Sequence, residues 1–394
     1  MSANLLGGAV NFVSRSAYER ARMQTRVSTY FSANDKAMDL KKTPGPLQED
    51  TYKVLPSFDL QFVHPVSKRF GYVVTAAHSS QYFLQNRTVL GARFTSAGAS
   101  LTNPYTTNVN TNFAPNRSDR SSGGVALDFK PFERSVVSLK LNATASKQQT
   151  ASRGINYSVG GGTPISFTKT DVYGAATGAS VGMGNSFQER HALTRSVTAS
   201  WKHTGSVWNA ELAGSYSNSL NRTRDGDKGF FRSVNVTLPG VSKVNLIGLD
   251  QDAPAVKTVE VYNNTGGRID ELTLANYLLN TAGTERLNAS DDVKELRFNA
   301  GRGFTILGQS VDLRAGGSIN DMERDLWYTP VNYTYVGPDG IALNADNSMG
   351  AFVDESYAGI CPGFGRPAPQ WPDSFMIWQN FLFRPSYWTL TPGQ

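Results

Sequence analysis

The sequence predicts an all-β chain, an antiparallel transmembrane β-barrel segment of about nine or ten strands with short periplasmic turns and long extracellular loops. Three observations lead there: apolar residues recur at every second position, short and long connections alternate along the chain, and aromatic residues bracket the short ones. The 394 residues carry 18% charged side chains and 11% aromatic ones, a balance too apolar for a disordered chain.

The first candidate strand holds Val27, Thr29 and Phe31 on one parity. A hairpin follows, with Phe58, Leu60 and Phe62 set against Asp59 and Gln61, then Tyr72, Val74 and Ala76, joined through HPVSKRFG. The second places Val125, Leu127 and Phe129 before KPFERS and Val137, Leu139, Leu141 and Ala143 after it. The third joins Val197, Ala199 and Trp201 through HTGS to Trp208, Ala210, Leu212, Gly214 and Tyr216. The fourth joins Leu296, Phe298 and Ala300 through GRGFTILG to Val311, Leu313, Ala315, Gly317 and Ile319. Alternation bounded by turn residues is the signature of a β-hairpin. Polar segments over about 35–53, 86–122, 149–193 and 221–292 separate the hairpins and are expected to be loops. Within the last of them, Ile269, Leu272, Ala275 and Leu279 have helical spacing, so 269–280 is expected to form a short helix stopped at Gly283.

Loops of this length are rare in soluble domains, whereas transmembrane barrels combine short periplasmic turns with long extracellular loops. Phe62 and Tyr72, Phe129 and Phe132, Trp201 and Trp208, and Phe298 and Phe304 flank the four turns as an interfacial aromatic girdle would. The opposite parity carries Asp128, Lys140, Lys202, Glu211, Arg297, Asp312 and Arg314, which a dry sandwich core would have to bury at several kcal/mol per unpaired ion. A hydrated or plugged lumen accepts them. On this reading the apolar parity meets outer-membrane lipid.

The other function classes find little purchase. A net charge of +6 with no Lys/Arg block does not make a nucleic-acid surface. The single Cys361 allows no internal disulfide, and no Cys/His group has zinc-ligand spacing. Gly178-Ala179-Ser180-Val181-Gly182 matches the nucleophile-elbow pattern, but a glycine-rich loop surrounds it where the elbow needs a strand before and a helix after. His64, His78, His191 and His203 have no i, i+4 pairing and are expected near strand ends or in loops. Asp225-Gly226-Asp227 lacks the distal glutamate of a calcium loop and reads as a solvated turn. No enzyme, cofactor or metal site is therefore expected. Trp327, Tyr328, Trp371, Trp378 and Trp388 gather in the C-terminal quarter, where loop packing or interfacial anchoring is favoured over a sugar platform.

The N-terminal stretch GGAVNFVSRS resembles the closing strand of the plug domain of TonB-dependent outer-membrane receptors, whose pattern is Gly-Gly-x-Ile/Val-Asn-x-x-Thr/Ser-Lys/Arg. Gly7, Gly8, Val10, Asn11, Ser14 and Arg15 stand at its positions, and the hairpin ladder follows directly, as in that family. The resemblance implies that residues 1–21 end a plug domain and 22–394 form a partial barrel. It also implies energising partners, TonB with ExbB and ExbD, acting through a part not contained in this sequence, and uptake of a scarce small-molecule or glycan solute such as a siderophore or cobalamin. Family barrels have about 22 strands. This chain shows about nine, no signal peptide and a C-terminal LTPGQ where a terminal aromatic is usual, so a fragment of a receptor is expected. The alternatives are a secreted β-rich adhesin or binding domain and a small passive porin-like barrel.

Overall fold

The computed structural model describes residues 17, 20 and 22–392, apart from 96–97, 176, 251 and 308. Its strands in chain order begin with β1 (Gln24–Ser32), β2 (Thr43–Pro44), β3 (Asp50–Thr51), β4 (Leu55–Pro65), β5 (Phe70–Arg93) and β6 (Tyr105–Phe132). They continue with β7 (Ser135–Ser158), β8 (Ser166–Phe167), β9 (Asp171–Tyr173), β10 (Ser180–Thr204), β11 (Trp208–Arg224) and β12 (Ser233–Thr237). The last are β13 (Val241–Asp250), β14 (Ala255–Asn263), β15 (Leu278–Ile306), β16 (Gln309–Tyr335) and β17 (Trp388–Leu390), with helix α1 (Ser374–Phe383) before β17. None of the described helices is long and apolar enough to cross a membrane.

The main sheet is an antiparallel meander in the order β1-β4-β5-β6-β7-β10-β11-β15-β16-β17, with β12 pairing both β10 and β15 at the loop end. The candidate strands read from the sequence all lie in it. Among the described residues β1 and β17 are its two edges, so the sheet is open. Register holds over long distances: β7 and β10 pair without a shift from His203↔Ser135 to Ser180↔Ser158. A continuous apolar parity enforces this, because a slip by one residue would turn every such side chain to the polar face. Asparagines lie across glycines of the neighbouring strand on that polar face, Asn142 opposite Gly124 and Asn112 opposite Gly154. A Cβ at Gly124 would stand 2.6 Å from the Asn142 Oδ1, so the glycine makes room for the amide.

Two expectations are corrected here. The segments 86–122, 149–193 and 221–292 are largely strand, since β5, β6, β7, β10 and β15 run on far past the apolar belt and leave shorter connections. Their polar side chains hid them: on β7 the even positions from Ser138 to Asn156 are polar or glycine throughout. The helix expected over 269–280 is a single 3-10 turn at Leu274–Asn276, followed at once by β15. Asp270 accepts the Leu272 N–H (2.9 Å), a local turn bond that competes with helix, and Leu279 is taken by pairing with Val236.

The core occupies only the loop end of the apolar face. There a small sheet in the order β14-β13-β9-β8 and the C-terminal arm, residues 336–388, cover the long strands. Tyr105, Val109, Tyr157, Val181 and Met183 from the strands pack with Val244, Leu246 and Val261 of the small sheet and with Leu274, Trp371 and Ile377. Asp373 starts α1 by accepting the N–H groups of Phe375 (2.8 Å) and Met376 (3.0 Å).

Candidate functional site

The two faces of the meander are best followed along rungs, the sets of residues paired across β6, β7, β10, β11 and β15. Nearest the turns, Phe129, Val137, Trp201, Leu212 and Phe298 form one rung. Above it come Leu127, Leu139, Ala199, Gly214 and Leu296, then Val125, Leu141, Val197, Tyr216 and Lys294. These side chains share a face with the buried core farther up, yet none of the described residues covers them. Val137, Leu141, Leu212 and Phe298 are 41–56% exposed, and Leu313 and Ile319 of β16 are 65% and 72% exposed. A contiguous apolar surface running from β1 to β16 far exceeds the few hundred Å² that water-soluble monomers tolerate.

The same face changes character higher up. Two rungs above Val125-Leu141-Val197, the residues are Ser121, Ala145, Leu193 and Leu220. The next rung is Asp119, Lys147, His191 and Arg222, and the one above is Arg117, Gln149, Glu189 and Arg224. All of these but Arg117, Gln149 and Glu189 line, with Asp227 and Lys228, an open cavity of about 740 Å³. Three of the lining residues converge on Glu189, whose side chain is 4% exposed: its carboxylate meets Lys147 Nζ at 3.0 Å, Lys228 Nζ at 3.1 Å and His191 Nε2 at 2.8 Å, and accepts the Gln149 amide at 2.9 Å. Burial alone would raise its pKa, but the bonds from Gln149, His191, Lys147 and Lys228 win and hold it at about 2.

The opposite face is polar or small along β7, β10 and β11. Arg297 donates to Glu211 across β15 and β11 at 3.0 Å, and Glu211, with Lys202, Asn299 and Arg314, borders a depression of about 670 Å³ near the turns. Asp312 and Arg314 pair at 2.6 Å. Asp128 accepts the Ser138 hydroxyl (2.5 Å) and the backbone N–H of Ala17 (3.3 Å). Ala17 is fully buried there; a Cβ at Gly71 would come within 2.7 Å of its methyl group. The chain that leads into β1 therefore touches the polar face.

The residues singled out in the sequence fare differently. Gly7, Gly8, Asn11 and Arg15 lie outside the described residues. Ser180 opens β10 opposite Ser158, in regular strand and not at a strand-to-helix turn. Of the four histidines, expected near strand ends or in loops, His64 and His203 lie one residue from the ends of β4 and β10, whereas His78 and His191 lie inside β5 and β10. His78 bonds Ser121 (2.9 Å) and Ser80 (3.0 Å), His203 bonds Ser135 (2.8 Å), and among the described residues no three His, Cys, Asp or Glu side chains converge as a metal site. Asp225 is fully buried, not solvated; it caps the following 3-10 turn and accepts the Glu285 N–H, while Asp227 pairs with Arg224 at 3.1 Å. Trp371 is buried, and Trp378 and Trp388 stack with Phe231 and Phe381, so these three are packing residues; Trp327 and Tyr328 remain half exposed on β16.

Sequence reasoning missed one buried pair. Arg153 donates from Nε (3.0 Å) and Nη2 (2.7 Å) to Asp354 Oδ2, both side chains being fully buried, with the guanidinium 3.9 Å from the Tyr357 ring centre and 4.6 Å from that of Phe187. The only available signal was that Arg153 falls on the apolar parity of β7. No family model matches the chain, and no curated protein matches it.

Proposed function

We propose that the chain is wall and surface loops of an outer-membrane β-barrel from a TonB-dependent receptor, taking part in energised uptake of a scarce solute. The observation that carries the membrane reading is the exposed apolar belt on one face, set against a charged and hydrated opposite face. In water the belt is a liability; against hydrocarbon it is the stabilising surface. Its aromatic lower edge, Phe129, Trp201, Trp208 and Phe298, suits the membrane–water boundary. The belt also drifts along the strands: on β10 it runs up to Val197 and Leu193, whereas on β16 it ends at Ile319, which pairs with Leu296. Strands tilted to a barrel axis require such a drift.

The receptor part of the proposal rests on the plug-end resemblance at Gly7, Gly8, Asn11 and Arg15, supported by Ala17 packing on the polar face, where a plug would lie. In this reading the solute binds at the loop end, TonB with ExbB and ExbD moves the plug, and no covalent chemistry is involved. A second reading, a secreted adhesin, draws on the loop end, where the apolar face is covered as in soluble proteins. Fractionation separates the two. A barrel stays in the outer membrane after salt and urea washing and migrates anomalously unless boiled; an adhesin is released. Retention together with solute uptake that collapses without TonB supports the receptor, while retention with TonB-independent diffusion leaves only the passive barrel.

A further inference from the structure

Above the apolar belt, the cavity on β7, β10 and β11 has a charge balance that its own residues do not close. The carboxylates that line it or bind its lining residues are engaged: Asp227 by Arg224, Asp119 by Arg117 at 3.0 Å, and Glu189 by Lys147, Lys228 and His191. Arg195 and Arg222 remain. Among the described residues neither has a hydrogen-bond or ion-pair partner, although Arg222 stands directly across from His191 and Arg195 two rungs below, across from Asn218. Asp292, the next residue along that rung, accepts the Tyr216 hydroxyl (2.5 Å) and the Asn218 amide (3.0 Å) instead. Two guanidiniums, each a planar fork suited to phosphate oxygens, thus line one cavity with no anion among the described residues on them.

The height of this site identifies the anion. Trp201 and His191 lie on the same face of β10, ten residues apart. At about 3.3 Å per residue the separation is about 33 Å along the strand, or about 25 Å along the membrane normal for a strand tilted by about 40°. That matches the height of the apolar band of a transmembrane barrel, about 25 Å. The aromatic rung and the cationic rung therefore stand at opposite boundaries of one hydrocarbon layer, with Arg195 low enough to reach upward from the acyl region while its stem stays apolar.

We infer that Arg195 and Arg222, on the ammonium-rich rim built by Lys147, Lys228 and Glu189, bind the phosphates of an anionic lipid headgroup in the outer leaflet. The inference rests on the membrane reading above and adds a ligand to it. The lipid's chains lie along the belt below while its phosphate enters the cavity, so one molecule satisfies both surfaces.

The full chain, recovered from the outer membrane in detergent, would be placed in nanodiscs of phosphatidylethanolamine with and without bis-phosphorylated lipid A, and retained lipid counted by mass spectrometry. We expect selective retention of lipid A, weakened about 10- to 100-fold in R195Q/R222Q and partly restored in R195K/R222K, which keeps the charge without the fork. Equal retention by the wild type and R195Q/R222Q overturns the inference. So does displacement of the lipid by inorganic phosphate at equal concentration, which would mark a site for a free anion. Heat-modifiable migration is read on every sample. If the wild type never enters the membrane, the membrane reading itself fails; if it enters and holds no lipid A, only this inference does.

Discussion

Asp354→Ala should release the C-terminal arm from the sheet. In the native structure one carboxylate oxygen takes two N–H groups of Arg153, and the guanidinium is sandwiched between the rings of Tyr357 and Phe187. Two opposite charges about 4 Å apart attract by about 4 kcal/mol at an effective dielectric constant near 20. Desolvating both ions costs several kcal/mol, so the pair as a whole is close to neutral. Removing only the carboxylate leaves a buried, uncompensated guanidinium, which costs about 3–5 kcal/mol. Opening of the arm then becomes easier by roughly two to three and a half orders of magnitude. Native-state hydrogen exchange reads this directly at the Asp354 amide, which donates to Trp371 O, and at the Asp373 amide, which donates to Phe352 O. Protection should fall there while the belt strands around Leu139 and Val197 keep theirs. The double variant R153M/D354L, which replaces both ions with apolar groups, should regain most of the loss. If D354A exchanges like the wild type, or if the double variant is no better than D354A, the account of the arm as held by this pair is wrong.

On the belt, Leu141→Arg should cost about 2–4 kcal/mol of membrane insertion free energy near the midplane; unchanged refolding into vesicles would reverse the assignment of faces. In the small sheet, Gly174→Ala puts a Cβ against the carbonyl oxygen of Val244 and within 3.2 Å of that of Val159, neither of which can rotate away. The cost should be about 1–3 kcal/mol, seen as lost exchange protection over β13, and full protection would refute the packing described. At the cavity, the folded-state pKa of Glu189 is depressed to about 2, so its network contributes stability that is complete above the ordinary carboxylate range and is lost as pH falls from about 4.5 through 2. Glu189→Gln should remove that part of the acid sensitivity, and an unchanged acid profile for local exchange around β10 would contradict the network.

Legibility in the sequence followed the physics of each region. The belt strands could be read because one face is apolar and the other polar, a pattern with a single period. Higher up, β7 carries Gln149, Ala151 and Arg153 on the same parity as its belt residues, where they are buried. Alternation was lost there because burial depends on a partner some 200 residues away, Asp354 for Arg153. The 269–280 segment misled for a related reason: its apolar spacing serves a turn and the start of a strand, with Leu274 and Leu279 both buried in the one core. The cationic cavity was invisible because its members come from four strands and a turn, each contributing one or two charges to an otherwise ordinary polar stretch.

The two halves of the apolar face pose a single physical question, namely what replaces water on each. At the loop end the chain supplies its own cover, and it fixes that cover with directional bonds: the Arg153–Asp354 pair, the Asp373 cap and the Tyr357 hydroxyl donating to Gly45 O at 2.6 Å. At the turn end the described residues supply none, and the exposed residues are mostly Val, Leu, Phe and Trp, which have no hydrogen-bonding side chain pattern to fix a partner. Directional cover implies one fixed partner; non-directional cover implies a solvent. The charged rungs that separate the two regions lie where such a solvent would end, so the boundary between them is chemical before it is topological. A protein partner on the belt would instead call for polar groups interspersed among Leu139, Leu141, Val197 and Leu212, and on these strands they begin only at Arg195 and the cationic rungs above it.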